Sequence, residues 1–313
     1  MSIVPHHEYN TEQETHLKKA LHLEYISIAY ISSVIILMYL VMGSSQAMKT
    51  AWIEDCLSLI PPVGFLIGAY FCNRPATRHY PFGFHRVVSV LFLCAALALL
   101  IMGGYLLVDS AMKLFEQHHP TIGMKSFFGV DMWLGWWMIP VLLWGTFPPL
   151  ILGHYKMKHA KPLNDKILYT DAKMNKADWM TAAAAIGGVL GIGMGLWWAD
   201  TAAAILISFD ILKDGWTQTK DAVLGLMNRA PTEVDNGYAN LQAAAEKTLC
   251  EFDFIQSAEV KLYEGGHLIF GQGYITAYRG KALDPSELKA ATKAVRNLDW
   301  RLKEFALSLA VED

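Results

Sequence analysis

Apolar residues gather into six runs of close to twenty residues each along the first two-thirds of the chain, at 25–42, 51–72, 87–108, 132–153, 178–198 and 201–226. A stretch of about 20 apolar residues is what an α-helix needs to cross the hydrocarbon core of a bilayer, so the pattern predicts six membrane spans. The pattern then changes. Residues 227–231 read as a linker, and from Thr232 amphipathic and strand-like stretches alternate. Leu241, Ala245 and Leu249 recur at helical spacing within 232–250, with Thr232 and Asp235 available as N-caps. Segments 258–263 and 267–278 read as strands joined through Gly265-Gly266, a hairpin signal. Residues 285–298 read as a second helix and 304–311 as a last strand. The chain thus predicts an all-α six-helix transmembrane bundle followed by a small α+β domain in αββαβ (ferredoxin-like) order. Its expected parts are a polar leader at 1–24, a transmembrane domain at 25–226, the linker, and a C-terminal domain at 232–313. The leader has no small-residue cleavage pattern and is not read as a signal peptide.

Composition and charge sharpen this picture. A hydrophobic share of 53% against 18% charged residues, with mean hydropathy +0.26, suits several spans with an attached soluble part. Arg74, Arg78 and Arg86 fall in the second connection, and Lys156, Lys158, Lys161, Lys166, Lys173 and Lys176 in the fourth. Short cytoplasmic loops carry excess Lys and Arg, so both connections, and with them both termini, are expected in the cytoplasm. The expected location is a multi-pass position in a plasma or bacterial inner membrane. A net charge of −3 without a basic, aromatic-interleaved stripe offers nothing for nucleic acid. Cys56, Cys72, Cys94 and Cys250 form no C-x-x-C pair and read as small packing residues. The sequence has no P-loop or nucleophile elbow, and an enzyme is not expected.

The candidate chemistry lies in acids placed where spans should carry none. Glu54 and Asp55 stand near the head of the second apolar run and Asp178 opens the fifth. A charge at the bilayer centre costs about 2.5–3.5 kcal/mol on insertion scales, so such acids usually face a pathway, a partner or a cation. Asp171, Met174, Asn175 and Asp178 recur at offsets of three, four and seven, a continuous polar helical face. Alternatively Asp178 caps the fifth helix, and Glu54 and Asp55 snorkel to the interface. Only one of these two adjacent residues is expected to face a single site. Asp200 reads as a turn residue and helix cap. Pro61-Pro62 should kink the second span beyond the acids, and Gly187, Gly188, Gly191, Gly193 and Gly195 permit close helix packing.

Three stretches stand out beside the six spans, the basic second and fourth connections and the αββαβ tail: Arg74-Pro75-Ala76-Thr77-Arg78-His79-Tyr80-Pro81-Phe82-Gly83-Phe84-His85-Arg86, Trp198-Ala199-Asp200 before the sixth span, and the run 220–229 leading into the tail. Together they resemble the cation diffusion facilitator family of metal transporters. The resemblance implies a tetrahedral transport site made by two residues four apart on the second helix and two on the fifth. Aligned without gaps through Pro75 and Phe82, these fall on Glu54 and Ser58, or on Asp55 and Leu59 if one residue is missing, and on Met174 and Asp178. Asp171 and Asn175 are further oxygen donors nearby. This set departs from the family's zinc pattern. Oxygen ligands favour Mn²⁺ or Fe²⁺, whereas Met174 or Cys56 pull toward softer ions, leaving Zn²⁺, Mn²⁺, Fe²⁺, Co²⁺ and Cd²⁺ all open. The family's loop-site positions hold Thr77, Tyr80 and Phe84, with His79 and His85 one residue out of register and read as surface polar groups. Lys261 replaces a tail histidine, and His267 reads as solvated. The resemblance implies a homodimer exporting a divalent metal ion from the cytoplasm in exchange for protons, with no resident cofactor. The competing expectation is a transport-deficient member acting as a metal-sensing or scaffolding partner in the membrane.

Overall fold

The computed structural model describes residues 11–72, 74–117, 119, 122–127, 130–232, 240–266, 268–278 and 284–310. The cap expected at Asp235, the histidine at 267 and the first ten residues of the leader lie outside them. The chain divides into two compact units. One comprises His16–Ile67 and Val90–Ala222, the other the described parts of Met1–Thr15, Gly68–Ser89 and Val223–Asp313.

Helices α1 (Thr11–Val41), α2 (Gln46–Leu57), α3 (Ile60–Cys72) and α4 (Arg86–Phe115) come first. A hairpin of β1 (Met124–Phe127) and β2 (Val130–Trp133) follows, then α5 (Gly135–Leu163), α6 (Lys166–Gly193) and α7 (Ala199–Leu226). Among the described residues, four helical stretches are long and apolar enough to cross a membrane: Glu12–Val41, Gln46–Cys72, Arg86–Phe115 and Gly135–Leu163. The fifth and sixth apolar runs fall largely within α6 and α7, each 28 residues long but more polar, with carboxylates and lysines along them.

Three boundaries differ from the apolar pattern for identifiable reasons. Helix α1 begins at Thr11, so described residues of the leader are already helical. The second span breaks at Ser58-Leu59, just ahead of Pro61 and Pro62, which sit in the first turn of α3. Those prolines have no N–H to return to the carbonyls of Leu57 and Ser58, so the α-helical ladder stops one turn after the acids. Helix α6 starts at Lys166, capped by Asp165, whose carboxylate accepts from the Leu168 N–H at 3.0 Å. Asp178 therefore lies well inside α6 and caps nothing, and the cap reading of this residue falls.

Helix α5 contains Pro140, Pro148, Pro149 and Pro162. Pro148 deprives the Trp144 carbonyl of its helical donor, and the Tyr30 hydroxyl of α1 donates to that oxygen instead. Helices α4 and α7 cross backbone to backbone. A Cβ on Gly103 would lie 2.7 Å from the Leu212 nitrogen, and one on Gly215 would lie 2.5 Å from that of Leu100. Of the glycines expected to pack closely, Gly188 and Gly191 do so, against Ala203 and Ala199, while a Cβ on Gly187 would meet nothing. The apolar core gathers Val34, Met38, Met48, Leu99, Met138, Val189 and Ile207 from α1, α2, α4, α5, α6 and α7.

Asp200 is fully buried and caps α2 rather than its own helix. Its carboxylate accepts from the Ser45 hydroxyl at 2.6 Å, from the Ala47 N–H at 3.3 Å and from the Gln46 N–H, while Ser45 Oγ accepts from the Met48 N–H. Asp200 thus ties the start of α7 to the helix that carries Glu54 and Asp55. Asp200→Ala is expected to cost about 1–2 kcal/mol, the loss of a helix cap with its buried donors. Thermal unfolding of the purified protein should show a lowered midpoint.

The second unit contains α8 (Leu241–Cys250), β3 (Ile255–Gly265), β4 (Leu268–Ala277), α9 (Pro285–Arg296) and β5 (Leu302–Leu309), the αββαβ order that the pattern predicts. Strand β4 is central, antiparallel to β3 and parallel to β5, so α9 is the crossover between the parallel pair. Leu241, Ala245 and Leu249 pack on Phe254, Val260, Ile269, Val295 and Phe305. Gly266 turns the β3–β4 hairpin with φ +77. Asp284 caps α9, and its bonds from Ser286 hold its carboxyl below the usual carboxylate range.

Candidate metal centre

Glu54 and Asp55 of α2 and Asp178 of α6 line one cavity. On α2 the lining residues are Ala51, Glu54 and Asp55, and on α6 they are Asp178, Thr181 and Ala182, so both helices present offsets of three and four. This spacing explains why both adjacent acids reach the cavity, against the expectation that only one would. Successive residues point about 100° apart, and the cavity lies between those two directions. Helices α1 and α5 complete the wall with Met38, Leu142, Gly145 and Thr146.

The Thr181 hydroxyl donates to Glu54 Oε1 at 3.2 Å. Glu54 Oε2 is buried and receives no hydrogen bond from any described residue. Asp55 and Asp178 both lie close enough to act on Glu54 electrostatically, and Asp210 of α7 adds a smaller influence. Thr146 Oγ1 donates to the Leu142 carbonyl at 2.8 Å, which leaves its lone pairs available. Gly145 brings a carbonyl whose helical donor is missing because residue 149 is proline. Three acids, two threonines and one thioether therefore surround a common space. Among the described residues, no three His, Cys, Asp or Glu side chains converge tightly enough to form a finished ligand cluster.

The remaining candidates stand elsewhere. Ser58 is the C-cap of α2, and its hydroxyl donates to the Glu54 carbonyl at 3.0 Å. Met174 accepts from Gln218 Nε2 of α7 at 3.3 Å and packs against the apolar core. Asn175 is buried but does not line the cavity. Asp171 bonds to Lys156 of α5, which also donates to Glu24 of α1 at 2.9 Å. All three of these side chains are buried. Lys156 was expected in a basic connection, but it sits within α5 as a buried cation joining three helices.

Sequence reasoning did not reach Met38, Gly145, Thr146 or Thr181. Thr181 had a signal, being three residues after Asp178 on the same helical face. The α5 residues had a weaker one in Pro148-Pro149. Met38 had none.

In the other unit, His85 is buried rather than exposed, its ring 6.2 Å from that of Phe270, and Arg86 donates to Asn228 Oδ1 at 2.6 Å. Burial pushes the Glu304 carboxyl up despite the pull of His85 and Arg296. His79 is exposed, as expected. Lys261 lies over the Tyr274 ring and pairs with Glu259 at 3.2 Å on an exposed surface.

Carboxylates from two helices thus line one cavity among helices of which four stretches are long and apolar enough to cross a membrane. Residues 25–227 match the model of the cation efflux transmembrane domain. The chain belongs to that family, whose members are transporters rather than enzymes. Among relatives, it is 23% identical over 200 residues to an uncharacterized transporter, YdbO, of Bacillus subtilis, covering 63% of each chain. It is 24% identical over 193 residues to the magnetosome protein MamM of Magnetospirillum gryphiswaldense, covering 61% of this chain and 57% of that one. It is 23% identical over 183 residues to a cadmium, cobalt and zinc/H(+)-K(+) antiporter of Bacillus velezensis, covering 58% and 54%. The chain thus spans less than two thirds of the length of the curated relatives it matches.

Proposed function

We propose that this chain is a divalent metal cation transporter that exports a transition-metal ion from the cytoplasm in exchange for protons, through the cavity between α2 and α6. The observation that carries this reading is the meeting of Glu54, Asp55 and Asp178 on one cavity, with Glu54 Oε2 buried and without a donor among the described residues. A buried acceptor left unpaired is costly, and a dication bridging these oxygens removes that cost. Carboxylates must give up their protons to hold a metal, so loading the cavity releases protons and emptying it takes them back. An opening that alternates between the two sides turns that competition into exchange.

In this reading α1, α2–α3, α4, α5, α6 and α7 are six spans with both chain ends in the cytoplasm. The tail is a ferredoxin-like dimerisation domain. Oxygen donors outnumber the single Met38 thioether around the cavity, which favours Mn²⁺ or Fe²⁺ over softer ions. A named relative handles cadmium, cobalt and zinc, so those ions belong in the same competition series.

One observation favours the scaffold reading. Ser58 and Met174, two positions of the ligand set implied by resemblance, are engaged away from the cavity. Purified protein reconstituted into vesicles with a metal-sensitive dye and a pH dye separates the two. Metal entry accompanied by opposite proton movement is expected. Failure to move Mn²⁺, Fe²⁺, Zn²⁺, Co²⁺ or Cd²⁺ would overturn the transporter reading in favour of the scaffold.

A further inference from the structure

Away from the cavity, the first turns of α1 and the last turns of α5 bring two imidazoles together through their ring edges. His16 Nδ1 and His159 Nδ1 lie 2.9 Å apart, with ring centroids 5.1 Å apart and planes inclined by 59°. His159 is buried and His16 half-buried. We propose that His16 and His159 form a two-nitrogen binding site for a transition-metal dication, distinct from the carboxylate cavity.

The geometry needs little change. Tetrahedral metal–nitrogen bonds of about 2.0–2.1 Å set two ligand nitrogens about 3.3 Å apart, so the pair must open by only about 0.4 Å, within reach of small side-chain rotations. Both facing atoms are Nδ1, which leaves each Nε2 to carry the ring proton, the tautomer a ligating imidazole adopts. Without metal, one Nδ1 must hold a proton to bond the other. With metal, both offer lone pairs and that proton moves to Nε2 through solvent. Water completes the coordination on the more accessible His16 side.

The pair is remote from the cavity. Thr146, the lining residue of α5 nearest to it in sequence, is thirteen residues before His159, about 20 Å at the helical rise. The Lys156 ion-pair group lies between them on α5. The local field also separates the two sites. Lys19 and Lys158 stand near enough to act on His159 electrostatically, and their positive charge gives a dication no attraction. Affinity must therefore come from nitrogen–metal bonding, which follows the order Mn²⁺ < Zn²⁺ < Cu²⁺ for such donors. The cavity, built from oxygens, should show a flatter preference.

The test is electron paramagnetic resonance of the full chain in detergent at one equivalent of Cu²⁺, with competing metals titrated afterwards. Hyperfine structure from two imidazole nitrogens is expected in the parent protein, and in E54Q/D55N/D178N, where the cavity acids are gone. His16→Gln and His159→Gln should each remove one nitrogen from the pattern and weaken Cu²⁺ binding at least about tenfold, while Mn²⁺ fails to displace the copper. The parent spectrum needs no variant to fold, and one nitrogen or none in it would overturn the proposal. So would an unchanged two-nitrogen pattern in both glutamine variants. Loss of vesicle exchange in the cavity variant with the copper spectrum intact would keep the two sites' fates separate.

Discussion

Asp178→Asn is expected to abolish the proposed metal-for-proton exchange in reconstituted vesicles, while the circular dichroism spectrum and elution volume should stay those of the parent. The substitution keeps the size of the side chain and removes only a charge and a proton-accepting oxygen, so packing in the middle of α6 is preserved. Its effect should exceed that of Glu54→Gln or Asp55→Asn because of where the acids come from. Two of the three cavity carboxylates belong to α2, and losing either leaves the other on that wall. Asp178 is the sole acid among the α6 residues that line the cavity, where Thr181 is the other polar side chain from that helix. Taking one carboxylate away from a bound dication breaks a buried charge pair, a change that costs about 2–5 kcal/mol in binding, roughly thirtyfold or more in affinity. Exchange by Asp178→Asn at the parent rate would place the pathway elsewhere.

The parts of this molecule legible in the sequence are those written in local periodicity. Leu241, Ala245 and Leu249 announce α8, and Gly265-Gly266 announces the β3–β4 hairpin, because the side chains that decide those elements are near neighbours. The acids at 54, 55 and 178 were legible for another reason: a charge within an apolar run is expensive and needs an explanation. Hydropathy, however, locates apolar residues and not helix ends. It placed Asp178 at the start of a span, whereas Asp165 caps α6 and sets Asp178 deep inside it. It counted Lys156 among basic loop residues because nothing in the neighbouring sequence reveals that Glu24 and Asp171 will surround it. The partner chosen by Asp200 was hidden in the same way, since its caps lie more than 150 residues earlier in the chain. Such pairings are decided by tertiary packing and carry no signature at short range.

Lys156→Met is expected to be the most destabilising single change in the membrane helices. Lys156 joins α5 to Glu24 on α1 and Asp171 on α6, and all three side chains are buried. Methionine fills nearly the same volume but leaves two carboxylates in low dielectric without their shared cation. Breaking a buried pair in this way costs about 3–5 kcal/mol. Glu24 Oε1 already receives no hydrogen bond from any described residue, so no second donor is in place to take over. The loss should also reach the cavity. Asp171 precedes Asp178 by seven residues on α6, about 10 Å along the helix axis, and with Lys156 absent α6 loses one of the contacts that hold the rotation turning Asp178 inward. The triple variant K156M/E24Q/D171N separates charge from packing. It removes cation and anions together, and neutral replacements of buried ion groups are often harmless or stabilising, so its unfolding midpoint should return to or exceed that of the parent. If Lys156→Met unfolds with the parent's midpoint, the group contributes no net electrostatic stabilisation. If the triple variant is as weak as the single one, the lysine acts through its shape rather than its charge.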